Sequence, residues 1–532
     1  MAIGHLGGVV ATSVLDVAIV GGGVSGVWSG WRLTDPSAGP ARRKQVGVYE
    51  LSDRIGGRLL SVRLPGQPGI ACELGGMRYM SSQPLVKWLI EDELGLATTP
   101  ALVFEPENIA YLRGLVLHLS DLTDPDKIPY RLLADERSHA ATLLSDAIAA
   151  IAPSTVGRTG DALRKAVQSV VYDGRPIWQQ GFWNMLAQNM SGEAFRFLQQ
   201  AGGYDTTMLN WNGADTIVLN SDFGPGVTYS RVETGYEDVP IQLALRFQAN
   251  GGELHLKSAV RSIVPATLPD DTEGVLLIVD DAETGKTIKV LARCAILAMP
   301  RRSLELLDPA GKILGDPGFR ALLPTVTPIP LFKAFVAYHE PWWTNVGVTT
   351  GRSVTDLPLR QVYYWSTTAA NSMLLATYDD TDDVGFWQGL AADPERFGLE
   401  TDHLPAAVGA AIRADTGDDR WKAWQAPAAM VKEIHRELMV MHGVAEAPPP
   451  YAAVYHDWLD DPFGGGVNFW NIGVRSWEVI PKIAKPVASA PVYVVGEAYS
   501  DAQGWVEGAL RSAEIVLTGH LGLPRVKTGT VG

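Results

Sequence analysis

The stretch that decides the fold is Asp16-Val-Ala-Ile-Val20-Gly-Gly-Gly-Val-Ser-Gly26. Its apolar start is typical of a strand buried on both faces of a parallel sheet, and the residues after it have the pattern of a helix. Gly21, Gly23 and Gly26 form a G-x-G-x-x-G turn between the two. The first glycine permits a tight turn, the second lets the backbone approach a pyrophosphate, and the third lets the helix pack on the strand. The stretch therefore predicts a dinucleotide-binding βαβ unit.

A second strand pattern follows at Gln45 to Glu50, after a polar loop. Glu50 lies 24 residues after Gly26, where a carboxylate can accept hydrogen bonds from ribose hydroxyls. The free N–H groups and the dipole at the start of the first helix favour an anion such as pyrophosphate. A glycine-rich turn alone can join a strand to a helix without a ligand. Strand, turn, helix and acidic residue together indicate a dinucleotide site.

Two further motifs indicate which dinucleotide binds. The segment Glu50-Leu-Ser-Asp-Arg-Ile-Gly-Gly-Arg58 resembles the E-x-x-x-R-x-G-G-R continuation of the glutathione-reductase-type FAD domain, as found in the flavin amine oxidases. Near the end of the chain, Val495-Gly-Glu-Ala-Tyr-Ser-Asp-Ala-Gln-Gly-Trp-Val-Glu-Gly-Ala509 resembles the closing flavin motif of that family. The chain thus resembles the flavin amine oxidases over nearly its whole length.

This resemblance implies FAD as the cofactor. Arg58 is expected to neutralise the pyrophosphate, and Glu497 to meet the ribityl or ribose region. The last helix, opened by Gly504, Trp505 and Val506, is expected to direct its positive end at the flavin. Relatives that hold FAD covalently use a cysteine in the closing stretch, which has none here, so the FAD is expected to be non-covalent. The other expected cofactor contacts are Gly75, Gly76, Met77, Arg78 and Val260.

The segment Glu73-Leu-Gly-Gly-Met-Arg-Tyr79 indicates the substrate. Amine and polyamine oxidases usually carry an aromatic or neutral residue where this chain has Arg78. The segment resembles instead the G-x-M-R of the L-amino-acid oxidases, whose arginine grips the substrate carboxylate. A planar guanidinium binds a carboxylate through two hydrogen bonds, which a simple amine cannot use. The alternative is that Arg78 pairs with a carboxylate of the protein.

A tyrosine and a lysine complete the expected catalytic set with Arg78 and Trp505. Thr355-Asp-Leu-Pro-Leu-Arg-Gln-Val-Tyr-Tyr364 resembles the T-D-L-P…Y-Y segment of L-amino-acid oxidases, with Tyr364 the better match for a second carboxylate contact. Tyr363 and Tyr364 face opposite ways on a strand, so only one can serve, and a core position is the alternative for either. Lys333 interrupts an apolar strand pattern and resembles the family lysine that holds a water near flavin N5. The alternative is an edge strand with this lysine in solvent.

Two other segments have weaker signals. The segment from Gly202 to Asn212 is a candidate wall of the substrate pocket. The acidic run from Asp379 to Asp383 is expected to be a solvated loop.

Composition excludes several classes of protein. The 44 basic and 59 acidic residues give a net charge of −15, which argues against a nucleic-acid partner. Two cysteines and ten histidines without ligand spacing predict neither a disulfide framework nor a metal site. No apolar run is long enough to span a membrane, and the first thirty positions lack the basic residues of a signal peptide. A cytoplasmic protein is expected, with a homodimer allowed.

The expected fold class is α/β, with a glutathione-reductase-type Rossmann FAD-binding domain interleaved with a substrate domain of mixed β-sheet flanked by helices. The FAD-binding domain is predicted at 14–82, 226–320 and 486–526. The substrate domain is predicted at 83–225, which has a helical pattern from Pro84 to about Asn220, and at 321–485. A helix with Val431, Ile434, Leu438 and Met441 on one face is predicted to end at Gly443.

The expected reaction is the oxidation of an L-amino acid by dioxygen to the 2-oxo acid, ammonia and hydrogen peroxide. One alternative is an L-amino-acid 2-monooxygenase, which decarboxylates the substrate and yields an amide. Another is a polyamine or monoamine oxidase, which Arg78 disfavours. A flavin-containing scaffold protein of the demethylase type is a third, although no long helical spacer is evident in the sequence.

Overall fold

The computed structural model describes residues 14–38, 44–223, 226–368, 372–415, 419–459 and 465–528. Its first large sheet is built around the glycine stretch. Strand Leu15–Val20 pairs in parallel with Val46–Tyr49 on one side and with Lys286–Leu297 on the other. Val17 and Ile19 pack into one apolar cluster and Leu15, Ala18 and Val20 into another, so this strand is buried on both faces, as predicted. The other strands of this sheet are Glu253–His255, Ser258–Thr267, Glu273–Asp281 and Val492–Val494.

Three helices cover one face of this sheet. Helix Val24–Thr34, which begins in the glycine turn, is buried along its entire length. Asp238–Ala249 and Val506–Gly519 pack beside it, and the apolar side chains of all three join those of Val17 and Ile19. The start of the first helix is therefore held in a packed core, and its residues Val24 and Ser25 also line a large cavity.

The second large sheet is mainly antiparallel. Its strand order is Ala452–Asp457, Leu331–Tyr338, Ser372–Asp380, Gln361–Thr367, Arg352–Thr355, Ile109–Leu112 and Leu115–His118. Helix Ala428–His442 covers one face with Val431, Ile434, Leu438 and Met441, and ends at Gly443 in a left-handed conformation, as predicted. On the opposite face Lys333 lies between its cross-strand neighbours Tyr378 and His456.

The stretch predicted as helical is more mixed. Strands Thr98–Pro100, Ile109–Leu112 and Leu115–His118 lie within it. The first two pair with the distant strands Tyr229–Val232 and Arg352–Thr355, and the third forms a hairpin with the second. Such pairing overrides local helix preference. Its helices are Pro84–Lys87, the π-helical Trp88–Glu93, Ala134–Ser138, Leu143–Ile151, Gly160–Val167, Phe182–Leu186, Gly192–Gly202 and Gly213–Ser221. The later helices are Arg301–Glu305, Pro317–Leu322, Val384–Ala391, Ala406–Ala414 and Ser476–Ala484.

Small sheets accompany the two large ones. Small sheets pair Ser61–Val62 with Cys72–Glu73, Tyr229–Val232 with Tyr79–Met80 and Thr98–Pro100, Val171–Tyr172 with Arg175–Pro176, and Val326–Ile329 with Val467–Trp470. All strands of the first large sheet fall inside the three segments predicted for the FAD-binding domain, while the domain boundaries remain predictions. Within the described residues, no helix has the length and apolar character needed to cross a membrane.

Candidate active site

A cavity of about 700 Å³ is lined by residues from both large sheets. Of the residues predicted to bind the cofactor or take part in catalysis, all but Gly26 and Tyr364 line this cavity. It is therefore the candidate site for both cofactor and substrate. Residues far apart in sequence, from Gly21 to Val506, meet at this one space.

Each of the three glycines in the first turn has a different structural role. Gly21 has a φ of +108°, and a Cβ built on it would lie 2.5 Å from the oxygen of Ala298. A Cβ on Gly26 would lie 2.0 Å from the oxygen of Gly21, so helix and strand could not pack together. A Cβ on Gly23 would meet nothing nearer than the Cα of Gly57 at 4.0 Å. Packing requires Gly21 and Gly26, whereas Gly23 leaves open space where a ligand can approach the helix N-terminus.

The two motifs that carried the family resemblance are joined at the cavity wall. Arg58 donates a hydrogen bond of 2.6 Å to the carboxylate of Glu497 and one of 2.7 Å to the backbone oxygen of Gly466. The other carboxylate oxygen of Glu497 accepts from the N–H of Gly504 at 2.8 Å. Glu50 accepts from the N–H of Gly22 at 2.6 Å and so ties the second strand to the glycine turn. These charged groups face the cavity with their positions already fixed.

Arg78 is a buried cation without a carboxylate partner among the described residues. It is 6% exposed, and it makes no ion pair with any carboxylate of the described residues. Its Nη2 donates to the hydroxyl of Tyr204 at 3.3 Å, and its Nη1 has no hydrogen-bond partner within the described parts of the chain. The guanidinium lies over the ring of Tyr229, 4.3 Å from its centroid, and 5.6 Å from that of Tyr363. A buried charge of this kind is costly unless a ligand of opposite charge pairs with it.

The prediction that Tyr364 lies beside Arg78 is wrong. The hydroxyl of Tyr364 shares hydrogen bonds with Ser353 Oγ at 2.7 Å and His442 Nε2 at 2.8 Å, on the opposite face of the sheet. The neighbour Tyr363 lies against Arg78, and its hydroxyl is 3.3 Å from that of Tyr204. Side chains alternate along a strand, so choosing the adjacent residue selects the wrong face.

Lys333 is buried in the sheet face that lines the cavity. The alternative of an edge strand with this lysine in solvent is therefore wrong. Its Nζ donates to the backbone oxygens of Gly75 at 2.5 Å and Glu73 at 3.2 Å, and it lies 4.4 Å from the ring centroid of Tyr378. Burial lowers the pKa of Lys333 to about 7, although the nearby Glu73 carboxylate acts in the opposite direction. Burial therefore favours the neutral amine of Lys333.

Comparison with known proteins identifies the family. A family model described as flavin containing amine oxidoreductase matches residues 24–516. The chain belongs to this family. Membership supports a flavin cofactor and an oxidoreductase activity, and it confirms the resemblance found in the sequence.

Individual relatives of this amine oxidoreductase are distant. The chain is 26% identical to aplysianin-A of Aplysia kurodai, over 94% of this chain and 89% of that protein. It is 25% identical to achacin of Lissachatina fulica, over 94% and 92%, and 23% identical to an L-amino-acid oxidase of Siganus canaliculatus, over 93% and 83%. The solved structure of putrescine oxidase bound to putrescine is similar, with a TM-score of 0.63 and 17% identity, over 95% of this chain and 99% of that one. The predicted α/β fold class is confirmed.

Replacing Lys333 with Met is expected to stabilise the amine oxidoreductase. The folded protein disfavours the charged lysine, so the stability of the wild type should rise with pH between about 7 and 10.5, where only the unfolded chain carries the proton. Lys333→Met should raise the melting temperature by several degrees at pH 7 and by less at pH 9. Calorimetry at several pH values measures this, with the exposed Lys432→Met as the control. If the melting temperatures of wild type, Lys333→Met and Lys432→Met depended equally on pH, the lowered pKa of Lys333 would be contradicted.

Sequence patterns missed several residues of the amine oxidoreductase site. Tyr204 was only part of a candidate segment, and the structure places it in the cavity beside Arg78. Tyr378 and His456 flank Lys333 through cross-strand pairing, which sequence spacing does not reveal. The prediction of a solvated acidic loop is wrong for Asp379 and Asp380, which are fully buried. The apolar run of strand Ser372–Asp380 is the available signal, since it leads directly into the acidic residues.

Proposed function

We propose that the protein is an FAD-dependent L-amino-acid oxidase. It converts an L-amino acid, dioxygen and water to the 2-oxo acid, ammonia and hydrogen peroxide. The observation that carries this proposal is the buried guanidinium of Arg78, which faces the cavity without an anionic partner among the described residues. An amine substrate would leave that charge unpaired, whereas an amino-acid carboxylate satisfies it through two hydrogen bonds. The relative named as an L-amino-acid oxidase supports the same choice.

The cavity residues fit FAD. The open space at Gly23 leaves the N-terminus of helix Val24–Thr34 free for the pyrophosphate, and Glu50 and Val260 line the same cavity. Arg58, Glu497 and the start of helix Val506–Gly519 would hold the remainder. When bound, FAD supplies a hydride acceptor for the substrate and passes the electrons to dioxygen. Non-covalent binding is proposed because Cys72 and Cys294 are both buried outside the cavity lining.

The chain's own residues would position the substrate. Arg78 holds the carboxylate, with the hydroxyls of Tyr204 and Tyr363 close to the same guanidinium. Fixing the carboxylate restricts the Cα–H to one direction, which removes orientational freedom before the reaction. Trp505, whose ring centroid lies 6.2 Å from that of Phe223, forms part of the aromatic wall of the cavity. Lys333 can hold a water molecule or a proton near neutral pH.

The two adjacent tyrosines provide a direct test of this site. Tyr363→Phe is expected to raise KM for an L-amino acid by about tenfold, since it removes a hydroxyl beside the carboxylate-binding group. Tyr364→Phe should leave KM unchanged and lower the free energy of unfolding by about 1–3 kcal/mol, because its buried hydrogen bonds to Ser353 and His442 are lost. Steady-state kinetics and denaturant titration of both variants measure these effects. A larger KM effect from Tyr364→Phe would contradict the assignment.

An oxygen-uptake screen across L- and D-amino acids, with product analysis, tests the proposed reaction. With L-amino acids, we expect one ammonia and one hydrogen peroxide to form for each dioxygen consumed. Carbon dioxide and an amide would indicate the monooxygenase instead. Oxygen uptake with polyamines or monoamines but not with amino acids would overturn the proposal.

A further inference from the structure

We propose that Asp380 is a positioning residue that holds Tyr204 against Arg78. Its carboxylate fixes the segment from Gly203 to Thr207, which carries Tyr204 into the cavity. The inference rests on the proposed function, because it takes Arg78 as the group that binds the substrate carboxylate. It extends that function to a residue of the cavity lining whose carboxylate is occupied by hydrogen bonds from the protein.

Both carboxylate oxygens of Asp380 are used by this segment. Asp380 is the last residue of strand Ser372–Asp380 and is fully buried. One oxygen accepts from the N–H of Asp205 at 2.9 Å. The other accepts from the N–H of Thr206 at 3.1 Å and from its hydroxyl at 2.6 Å. Three hydrogen bonds to a carboxylate form a strong anchor, and they leave Asp380 to act on the segment instead of on a ligand.

A second anchor holds the same segment from the other side. Asp205 accepts a hydrogen bond of 2.9 Å from Arg360, and both side chains are buried. Arg360 also donates to the backbone oxygen of Gln199 at 3.1 Å, in the preceding helix Gly192–Gly202. The helix then ends at Gly203 with a φ of +85°, where a Cβ would lie 2.8 Å from Cγ of Gln361. The chain therefore leaves the helix in one fixed direction.

The consequence of these anchors is the placement of Tyr204. Its hydroxyl lies 3.3 Å from Nη2 of Arg78 and 3.3 Å from the hydroxyl of Tyr363. Its ring packs edge-on against Tyr378, with 5.3 Å between centroids. A side chain already ordered before binding loses less conformational freedom when the substrate arrives. Loosening the segment should therefore weaken carboxylate binding, even though Arg78, Tyr204 and Tyr363 themselves are unchanged.

The test compares Asp380→Asn, Thr206→Val and Thr206→Ser as holoenzymes. For one L-amino acid, KM should rise about tenfold in Asp380→Asn and about threefold in Thr206→Val, with kcat changed by less than about twofold. The Kd of acetate, measured by its perturbation of the flavin absorbance, should rise in parallel. Thr206→Ser keeps the hydroxyl and should restore KM and Kd to within about twofold of wild type. Asp316→Asn, which removes a helix-capping carboxylate outside the cavity lining, is the control.

The outcomes separate this inference from the proposed function. If Asp380→Asn and Thr206→Val lower only the melting temperature, with KM and the acetate Kd unchanged, Asp380 has a purely structural role and the inference fails. If Asp380→Asn does not fold, Thr206→Val and Thr206→Ser decide by the same criterion. If acetate fails to bind wild type, or binds Arg78→Met equally well, the proposed function itself fails.

Discussion

Arg78→Met is expected to lower kcat/KM for L-amino acids by about 10²–10³-fold. Removing one member of a buried, hydrogen-bonded charge pair costs about 3–5 kcal/mol, and about 1.4 kcal/mol corresponds to a factor of ten. The loss should appear mainly in substrate binding, because the substrate carboxylate would enter a cavity without its counter-charge. The variant itself should fold, since Arg78 has no ion-pair partner among the described residues that would be left behind. Stopped-flow and steady-state kinetics measure the effect.

A matched control separates the loss of this charge from a general disturbance. Arg231→Met removes an arginine that lies in the adjoining strand Tyr229–Val232 and contacts the ring of Trp365, outside the cavity lining. It should leave kcat/KM within about twofold of wild type. Equal losses in both variants, or an unaltered Arg78→Met, would contradict a carboxylate-binding role for Arg78.

Gly26→Ala is expected to prevent formation of a stable holoenzyme, whereas Gly23→Ala should fold and lose cofactor. The Cβ of the first variant would lie 2.0 Å from the backbone oxygen of Gly21, which forces helix Val24–Thr34 away from the strand beneath it. The Cβ of the second enters open space at the helix N-terminus, where the cofactor pyrophosphate would approach. Circular dichroism, thermal unfolding and the flavin-to-protein absorbance ratio measure the two effects.

Gly519→Ala serves as the control for this pair, since it lies at the end of the last helix with no atom within 4 Å of an added Cβ. It should retain both fold and flavin. If Gly23→Ala retained cofactor with unchanged affinity, the assignment of the glycine turn to the pyrophosphate would be wrong.

The glycine turn and the first sheet could be predicted because their determinants are local. Gly21 and Gly26 are required by contacts within the turn and with its flanking strands, and a strand buried on both faces has a continuous apolar pattern. Helix Ala428–His442 was predictable for the same reason, since its apolar face and terminal Gly443 are adjacent in sequence.

The substrate side of the cavity depends on contacts that sequence spacing does not record. Tyr363 and Tyr364 differ only in the face they occupy, and the packing of the whole sheet decides between them. Asp380 is acidic and adjoins other acidic residues, which is typical of an exposed loop. It is buried because the distant segment at Asp205 and Thr206 supplies its hydrogen-bond donors. The cytoplasmic location and the homodimer remain predictions.

The proposed oxidase activity is tested most directly by anaerobic mixing of the purified holoenzyme with an L-amino acid, its D-enantiomer and the corresponding decarboxylated amine. We expect the L-amino acid to bleach the flavin absorbance, and the D-enantiomer and the amine not to do so at the same concentration. Arg78→Met should lose the reaction with the L-amino acid. Bleaching by the amine alone, or a purified protein without flavin, would contradict the proposed activity.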